Sequence, residues 1–208
     1  MLQVEKAVVI LSGGLDSGTL VHDIVSQYGA ENVHAISFDY GQKHSCELVC
    51  ASKICAKLGI HHEVFSLDVL NQIAPSALTR KDWEVPAGHY TQENMSETVV
   101  KNRNMVMLSL AASYAMSKGI TNLYYGAHSG DHCIYFDCRK EFIDAMAKVL
   151  SLADEVAIKL HVPYWNLNKI AILEKGLKLG VDYSLTHTCY NPNEKGESCG
   201  VYGSCSER

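Results

Sequence analysis

Val4-Glu5-Lys6-Ala7-Val8-Val9-Ile10-Leu11-Ser12-Gly13-Gly14-Leu15-Asp16-Ser17 sets a β-branched apolar run directly before a glycine pair flanked by serines and an aspartate. Val4 to Leu11 reads as a buried parallel strand, because such strands are apolar on both faces and need not alternate. Ser12-Gly13-Gly14 ends it, and Asp16 to Tyr28 reads as a helix closed by Gly29. Adjacent glycines let backbone N–H groups turn toward one point, and the helix N-terminus adds partial positive charge. With the two serine hydroxyls this makes a nest for a phosphate. Asp16 suits such a nest only if a cation lies between, which points to Mg²⁺. No Gly-Lys-Ser/Thr follows, so this is not a Walker A loop, and the dinucleotide G-x-G-x-x-G is absent. The plainer alternative is a tight strand–helix turn with a capping aspartate.

Outward from this turn, strands and helices alternate. Asn32 to Phe38 and His61 to Leu67 read as strands, and Lys43 to Leu58 as a helix closed by Gly59. Asn104 to Lys118 is an apolar helix closed by Gly119, and Asn122 to Tyr125 is a fourth strand. Arg139 to Ala153 is helical, and Asn168 caps a helix running to about Leu179, before Gly180. The alternation predicts an α/β fold with a parallel sheet and helices on both faces. Ligands of such sheets bind at the C-terminal strand ends, which directs attention to 12–17, 39–44 and 126–139. Residues 68–103 show no period and are expected to form a lid or site loop.

The 208 residues, 47% hydrophobic and 20% charged, suffice for a core without disulfide staples. The apolar runs are too short for a membrane span. Met1 to Lys6 shows no basic start or cleavage pattern, so a cytoplasmic protein is expected. A net charge of −5 argues against direct nucleic-acid binding. The eight cysteines are uneven. Cys46, Cys50, Cys55, Cys133 and Cys138 are scattered, whereas Cys189, Cys199 and Cys205 crowd the C-terminal end. Reduced thiols, metal ligands or a nucleophile are more in keeping with such a chain than disulfides.

Ser-Gly-Gly-x-Asp-Ser resembles the pyrophosphatase loop of the N-type ATP pyrophosphatases, a superfamily with GMP, NAD and asparagine synthetases and tRNA thiolation enzymes. Four more stretches narrow the resemblance: Phe38-Asp39-Tyr40-Gly41-Gln42-Lys43-His44, Val100-Lys101-Asn102-Arg103-Asn104-Met105, Gly126-Ala127-His128-Ser129-Gly130-Asp131-His132 running on to Ile134–Arg139, and Thr186-His187-Thr188-Cys189-Tyr190. In order and spacing these resemble the 7-cyano-7-deazaguanine synthase (QueC) family, from about residue 6 to 208. The resemblance implies a five-stranded, Rossmann-like sheet of the adenine nucleotide alpha hydrolase kind over 1–185, with a short zinc-binding tail over 186–208. It implies a carbon–nitrogen ligase that turns 7-carboxy-7-deazaguanine and ammonia into the nitrile with ATP, through an adenylated carboxylate and an adenylated amide. It also implies a homodimer.

Carried onto this sequence, the resemblance assigns Leu11, Ser12, Gly13, Gly14, Leu15, Asp16, Ser17, Gly18 and Thr19 to ATP and its Mg²⁺. Asp16, Arg103 and Arg139 become the catalytic candidates; the planar guanidinium forks suit oxyanions. Gln42, His44, Arg103, Asp131, Asp137 and Arg139 become the substrate-binding candidates, the two aspartates matching the N–H edge of a guanine-like base. Outside such motifs, residues of these kinds more often serve surface ion pairs and loop caps. Cys138 sits between Asp137 and Arg139, but a buried structural thiol is the simpler reading, since the chemistry needs no sulfur nucleophile.

The family's zinc site has the form C…C-G-x-C-x-x-C. Cys189, Cys199 and Cys205 match it, and Tyr202 stands where the remaining cysteine is expected. Three outcomes are open: Zn²⁺ with His187 as substitute ligand, Zn²⁺ with water in the fourth position, or no metal. Phe136 and Lys101 stand where the family usually has proline. Both border the expected substrate site, so variants that stop at the amide, or join the deazaguanine to another amine such as a protein, are alternatives. More distant are tRNA thiolation on the same loop and a non-enzymatic zinc module.

Overall fold

A computed structural model of the chain describes residues 5–42, 46–80, 82–83, 99–129, 135–189, 198, 200 and 205. Five parallel strands form one sheet in the order β3-β2-β1-β4-β5. They are β1 (Ala7–Ile10), β2 (Val33–Asp39), β3 (His61–Ser66), β4 (Asn122–Tyr124) and β5 (Lys159–His161). The helices are α1 (Leu15–Tyr28), α2 (Cys46–Leu58), α3 (Asp68–Ile73), α4 (Arg103–Ser117), α5 (Lys140–Leu150) and α6 (Lys169–Lys178). The sheet grows outward from β1 to β2 and β3, then returns to place β4 on the other side of β1, Ala7 being paired with both Val33 and Asn122. That reversal opens a crevice beyond the C-terminal ends of β1 and β4, where the glycine turn lies.

Alternate residues of β1 feed two cores, as the two-residue period of a strand requires. Val8 packs with Ile36, Leu108, Ala111, Leu123, Met146 and Ile158, under α4 and α5. Ala7 and Val9 pack with Leu20, Ile24, Ala51, Ile54, Tyr164 and Ile172, under α1, α2 and α6. Helices therefore cover both faces, and β1 is apolar throughout because neither face meets water.

Element boundaries shift by a few residues from the sequence reading. Glu5 and Lys6 lie outside β1, and its strand ends at Ile10. Arg139 is extended (φ −76°, ψ 155°) and forms the N-cap of α5, which ends at Leu150 instead of Ala153. α3 falls within the stretch expected to be loop. β5, three residues long, has no counterpart among the four strands placed from sequence. Asn168 caps α6 as expected, its Oδ1 accepting from the Ala171 N–H at 2.9 Å. No helix among the described residues is long and apolar enough to cross a membrane.

The segment that opens the expected tail lies against the glycine turn: the His187 N–H donates to the Gly13 carbonyl at 3.0 Å. Gly176 allows a second close approach, since a Cβ there would meet the Tyr183 hydroxyl. That hydroxyl instead pairs with Thr19 Oγ1 at 2.8 Å.

Candidate active site

The turn after β1 is shaped by its own serines. The Ser12 N–H donates to Ser17 Oγ at 3.2 Å, the two hydroxyls lie 2.9 Å apart, and the Gly14 N–H donates to Ser12 Oγ at 3.3 Å. Gly13 has φ +93°, and a Cβ there would strike the carbonyl oxygen of Glu47. Glycine is thus required twice over, by conformation and by space. Gly14 is extended and caps α1 with no side-chain partner. The side chains of Leu11, Leu15 and Thr19 are buried behind the turn. Thr19 Oγ1 donates to the Leu15 carbonyl, and Gly18 packs on Thr186 and Ile54. These four positions support the turn's shape, and Ser12, Gly13, Gly14, Asp16 and Ser17 form it.

Asp16 carries the charge of the turn. Its Oδ2 lies 3.5 Å from Nε2 of His128, a buried residue of the loop after β4. Its Oδ1 is buried and has no hydrogen-bond partner among the described residues. A bare buried carboxylate oxygen is costly unless a cation or donor completes it. Placed at a helix N-terminus beside a phosphate nest, it fits Mg²⁺, a hard ion that takes oxygen ligands.

A cavity of roughly 150 Å³ opens at the end of β4, lined by Arg103, Asn104, Tyr125, Gly126, Ala127, Asp137 and Cys138, with Leu78, Val99, Val100 and Tyr135. Asn104 Nδ2 donates to Cys138 Sγ at 3.6 Å, and the Tyr125 hydroxyl lies 3.7 Å from the same sulfur. Burial lifts the Tyr125 phenol well above its ordinary range, so it stays protonated at neutral pH. Arg103 opens α4 directly after Asn102, whose left-handed backbone (φ 62°) turns the chain sharply. Its guanidinium donates to the Tyr40 hydroxyl at 3.3 Å and lies 5.6 Å from that ring's centre. α4 and the end of β2 thereby meet at the cavity's edge.

The structure brings Arg103 and Asp137 together at the cavity but not all the other substrate candidates. Arg139 lies 3.9 Å over the exposed Phe136 ring and is not among the lining residues. Gln42 ties its own loop: its Oε1 accepts from the Tyr40 N–H at 2.9 Å and its Nε2 donates to the Phe38 carbonyl at 3.3 Å. His44 and Asp131 lie outside the described residues.

In the tail, His187 Nε2 donates to the Cys189 carbonyl at 3.1 Å, and Cys189 is fully buried. Cys205 is half-buried, and Cys199 and Tyr202 lie outside the described residues. Among the described residues no three His, Cys, Asp or Glu side chains converge as a metal would need.

Two residues here were given no role from sequence. His128 is quoted within a motif, but nothing in the chain order says that it reaches Asp16. Glu47 opens α2 and reads as an ordinary acidic residue in a helix's first turn. In the fold it keeps some accessible surface, yet burial of its carboxyl raises its pKa to about 7, against the opposing pull of Arg103. No local sequence signal encodes that, because it arises from α2 docking against the Gly13 turn.

Fold and site together define an α/β protein of the pyrophosphatase-loop class, with a glycine-serine turn after β1, a buried Asp16 oxygen in it and a cavity at the end of β4. The chain matches the fold of the NH₃-dependent NAD synthetase from Campylobacter jejuni in complex with nitrate: TM-score 0.56, 18% identity, covering 88% of this chain and 67% of that one. It likewise matches the U34-tRNA thiolase NcsA from Methanococcus maripaludis with its [4Fe-4S] cluster: TM-score 0.55, 16% identity, covering 90% of this chain and 60% of that one. At such identities the likeness is one of fold. The family described as queuosine biosynthesis protein QueC matches over residues 6–208, and this chain belongs to it. Its relatives include the 7-cyano-7-deazaguanine synthases of Methanoregula boonei (55% identical over 203 residues, 98% of this chain and 92% of that protein) and Caldicellulosiruptor bescii (54%, 98% and 90%).

Proposed function

We propose that the chain is a carbon–nitrogen ligase that converts 7-carboxy-7-deazaguanine, ammonia and ATP into 7-cyano-7-deazaguanine. The observation that carries the reading is the joining, in a chain of this family, of a phosphate nest holding an unpartnered Asp16 oxygen to a cavity lined by Arg103 and Asp137. The turn's N–H groups and serine hydroxyls hold the β,γ-phosphates of ATP. Mg²⁺, held by Asp16, would neutralise charge on the departing pyrophosphate. Arg103 orients the substrate carboxylate, so that its oxygen attacks the α-phosphorus and pyrophosphate leaves. Ammonia displaces AMP from the resulting mixed anhydride and gives the amide. In a second round the amide oxygen attacks the α-phosphorus of another ATP and pyrophosphate leaves, and loss of AMP and of two N–H protons gives the nitrile. One site serves both rounds because each activates an oxygen on the same carbon. Asp137 accepts from the N–H edge of the base, and the buried Tyr125 phenol offers a proton donor beside it.

We also propose that the tail over 186–208 holds zinc through Cys189, Cys199, Cys205 and His187, and that the chain forms a homodimer, which sedimentation velocity tests. Arg139, Gln42, His44 and Asp131 remain substrate-facing candidates, to be tested by alanine substitution. The reaction is tested by mass spectrometry of products from 7-carboxy-7-deazaguanine, ATP and ammonium. The nitrile is expected. Accumulated amide, or a conjugate with another amine, would replace this product; neither nitrile nor amide would refute the ligase.

A further inference from the structure

We propose that Thr188 is a further ligand of the ATP phosphates, its hydroxyl donating to the β,γ-diphosphate from the C-terminal segment that backs the turn. The inference rests on the phosphate nest of the ligase reading and deepens it. Thr188 lies in the Thr186-His187-Thr188-Cys189-Tyr190 stretch, and nothing above gives it a role.

Two independent observations bring its side chain to the nest. The first is Gly14. Gly13 must be glycine by conformation and by space, but Gly14 need be for neither. Its backbone is extended (φ −78°, ψ 174°), which any residue adopts. A Cβ there would lie 3.4 Å from Ser12 Oγ, 3.7 Å from the His187 carbonyl oxygen and 3.7 Å from Thr188 Cγ2, all ordinary contacts. The protein itself would therefore accept a side chain at Gly14, and the bare Cα leaves room for a ligand to approach the backbone. That room is bordered by the Ser12 hydroxyl and the Thr188 side chain.

The second observation is the hydroxyl. Thr188 Oγ1 is buried and has no hydrogen-bond partner among the described residues. It shares a carbon with Cγ2, so it stands at the same edge of the turn. The polar side chains before it are engaged: Thr186 Oγ1 donates to the Tyr183 carbonyl at 2.9 Å, and His187 Nε2 to the Cys189 carbonyl at 3.1 Å. The His187 N–H, on the Gly13 carbonyl at 3.0 Å, fixes the backbone that carries Thr188. A buried hydroxyl without an acceptor is costly. The acceptor favoured here is a phosphate oxygen, since the turn's N–H groups and the α1 N-terminus favour an anion at the same place. Asp16 Oδ1 is the other bare oxygen of this turn. A carboxylate only accepts and calls for a cation, whereas a threonine hydroxyl can donate and suits the anion. The two residues thus serve the two halves of magnesium–ATP.

The experiment compares wild type with Thr188→Val, Thr188→Ser and Gly14→Ala. Titration calorimetry measures binding of inorganic pyrophosphate in MgCl₂. Exchange of labelled pyrophosphate into ATP, driven by 7-carboxy-7-deazaguanine, gives the two KM values, and circular dichroism gives Tm. Thr188→Val keeps the shape and the methyl contact at Gly14 but removes the donor. It should weaken pyrophosphate binding and raise the KM for ATP by about tenfold to a hundredfold, the loss expected of a hydrogen bond to a charged group. The KM for 7-carboxy-7-deazaguanine should stay within about threefold, and Tm should not fall, because no internal hydrogen bond is lost. Thr188→Ser should recover most of the affinity that valine loses. Gly14→Ala should lose about tenfold or more in pyrophosphate affinity while melting within a few degrees of wild type. The role is overturned by any of five results: no pyrophosphate binding in wild type, wild-type affinity in Thr188→Val, equal losses in the valine and serine variants, a valine variant melting well below wild type, or wild-type affinity in Gly14→Ala. If pyrophosphate binds and Thr188→Val weakens it, yet wild type makes neither amide nor nitrile, the ligase reading fails and the phosphate role of Thr188 stands.

Discussion

Replacing Glu47 by glutamine should make the protein more stable, and increasingly so as the pH rises. Burial lifts the Glu47 carboxyl from 4.5 to about 7 in the fold. The native chain therefore keeps a proton that the unfolded chain releases between these values. Stability linked to this group is fully present below pH 4.5, declines as the pH passes toward 7, and levels off above it. At about 1.4 kcal/mol per pH unit, the ionised carboxylate costs the native state at most about 3 kcal/mol at pH 8. Glutamine keeps the shape and carries no charge, so the difference between variant and wild type should grow from near zero at pH 4 toward that value. For a chain of this length each kcal/mol shifts Tm by about 2–4 °C, giving a variant that melts higher than wild type at pH 8 by up to about 6–12 °C. Thermal unfolding followed by circular dichroism from pH 4 to pH 8.5 measures it. Equal Tm differences at both ends would refute the reasoning, because a pH-independent gain reflects packing and not ionisation. A loss of stability at pH 8 would show that Arg103 outweighs burial at this carboxylate.

Three other perturbations test the turn and the tail. Gly13→Ala adds a Cβ at φ +93° directly into the Glu47 carbonyl, so it should cost about 2 kcal/mol or more and abolish pyrophosphate exchange; a soluble variant with wild-type exchange would remove the close approach from the argument. Asp16→Ala removes the bare carboxylate oxygen and should lower AMP formation about a hundredfold while leaving Tm within a few degrees; unchanged AMP formation would exclude Asp16 as the cation's ligand. Protein purified without chelator should hold about one zinc per chain by elemental analysis, and stripping it should lower Tm, since structural zinc contributes on the order of 10–16 kcal/mol in small peptides. Well under one zinc per chain would mean that replacing the expected cysteine by Tyr202 has cost the site its metal.

What the chain order reveals and hides follows from where the information lies. β1 and the turn are legible because strand, glycines, serines and Asp16 are neighbours in sequence and their joint geometry is local. The same holds for α4, α6 and the Asn168 cap, where helical period and end signals agree. β5 is not legible, because three residues have no period, and pairing with β4 alone makes Lys159–His161 a strand. Where Arg139 stands is likewise invisible in chain order: its N-cap position at the head of α5 and its approach to the Phe136 ring follow only from the fold. Gln42 lies in the expected loop, but its amide is spent on that loop's own backbone.

Gly13 shows how the hidden part is built. On one side of it stands the carbonyl of Glu47, some thirty residues on, and its own carbonyl accepts from the N–H of His187, near the other end of the chain. Neither contact has a sequence signature, since each depends on where α2 and the C-terminal segment dock. Yet these contacts fix the turn's backbone, and through it the direction of the N–H groups that would meet the phosphates. Any shift of 186–189 therefore pulls on the turn directly, through one hydrogen bond. Any loss of the first turn of α2 removes the wedge against Gly13. The turn's sequence specifies what it can bind, and these two distant segments hold it in the shape that binds.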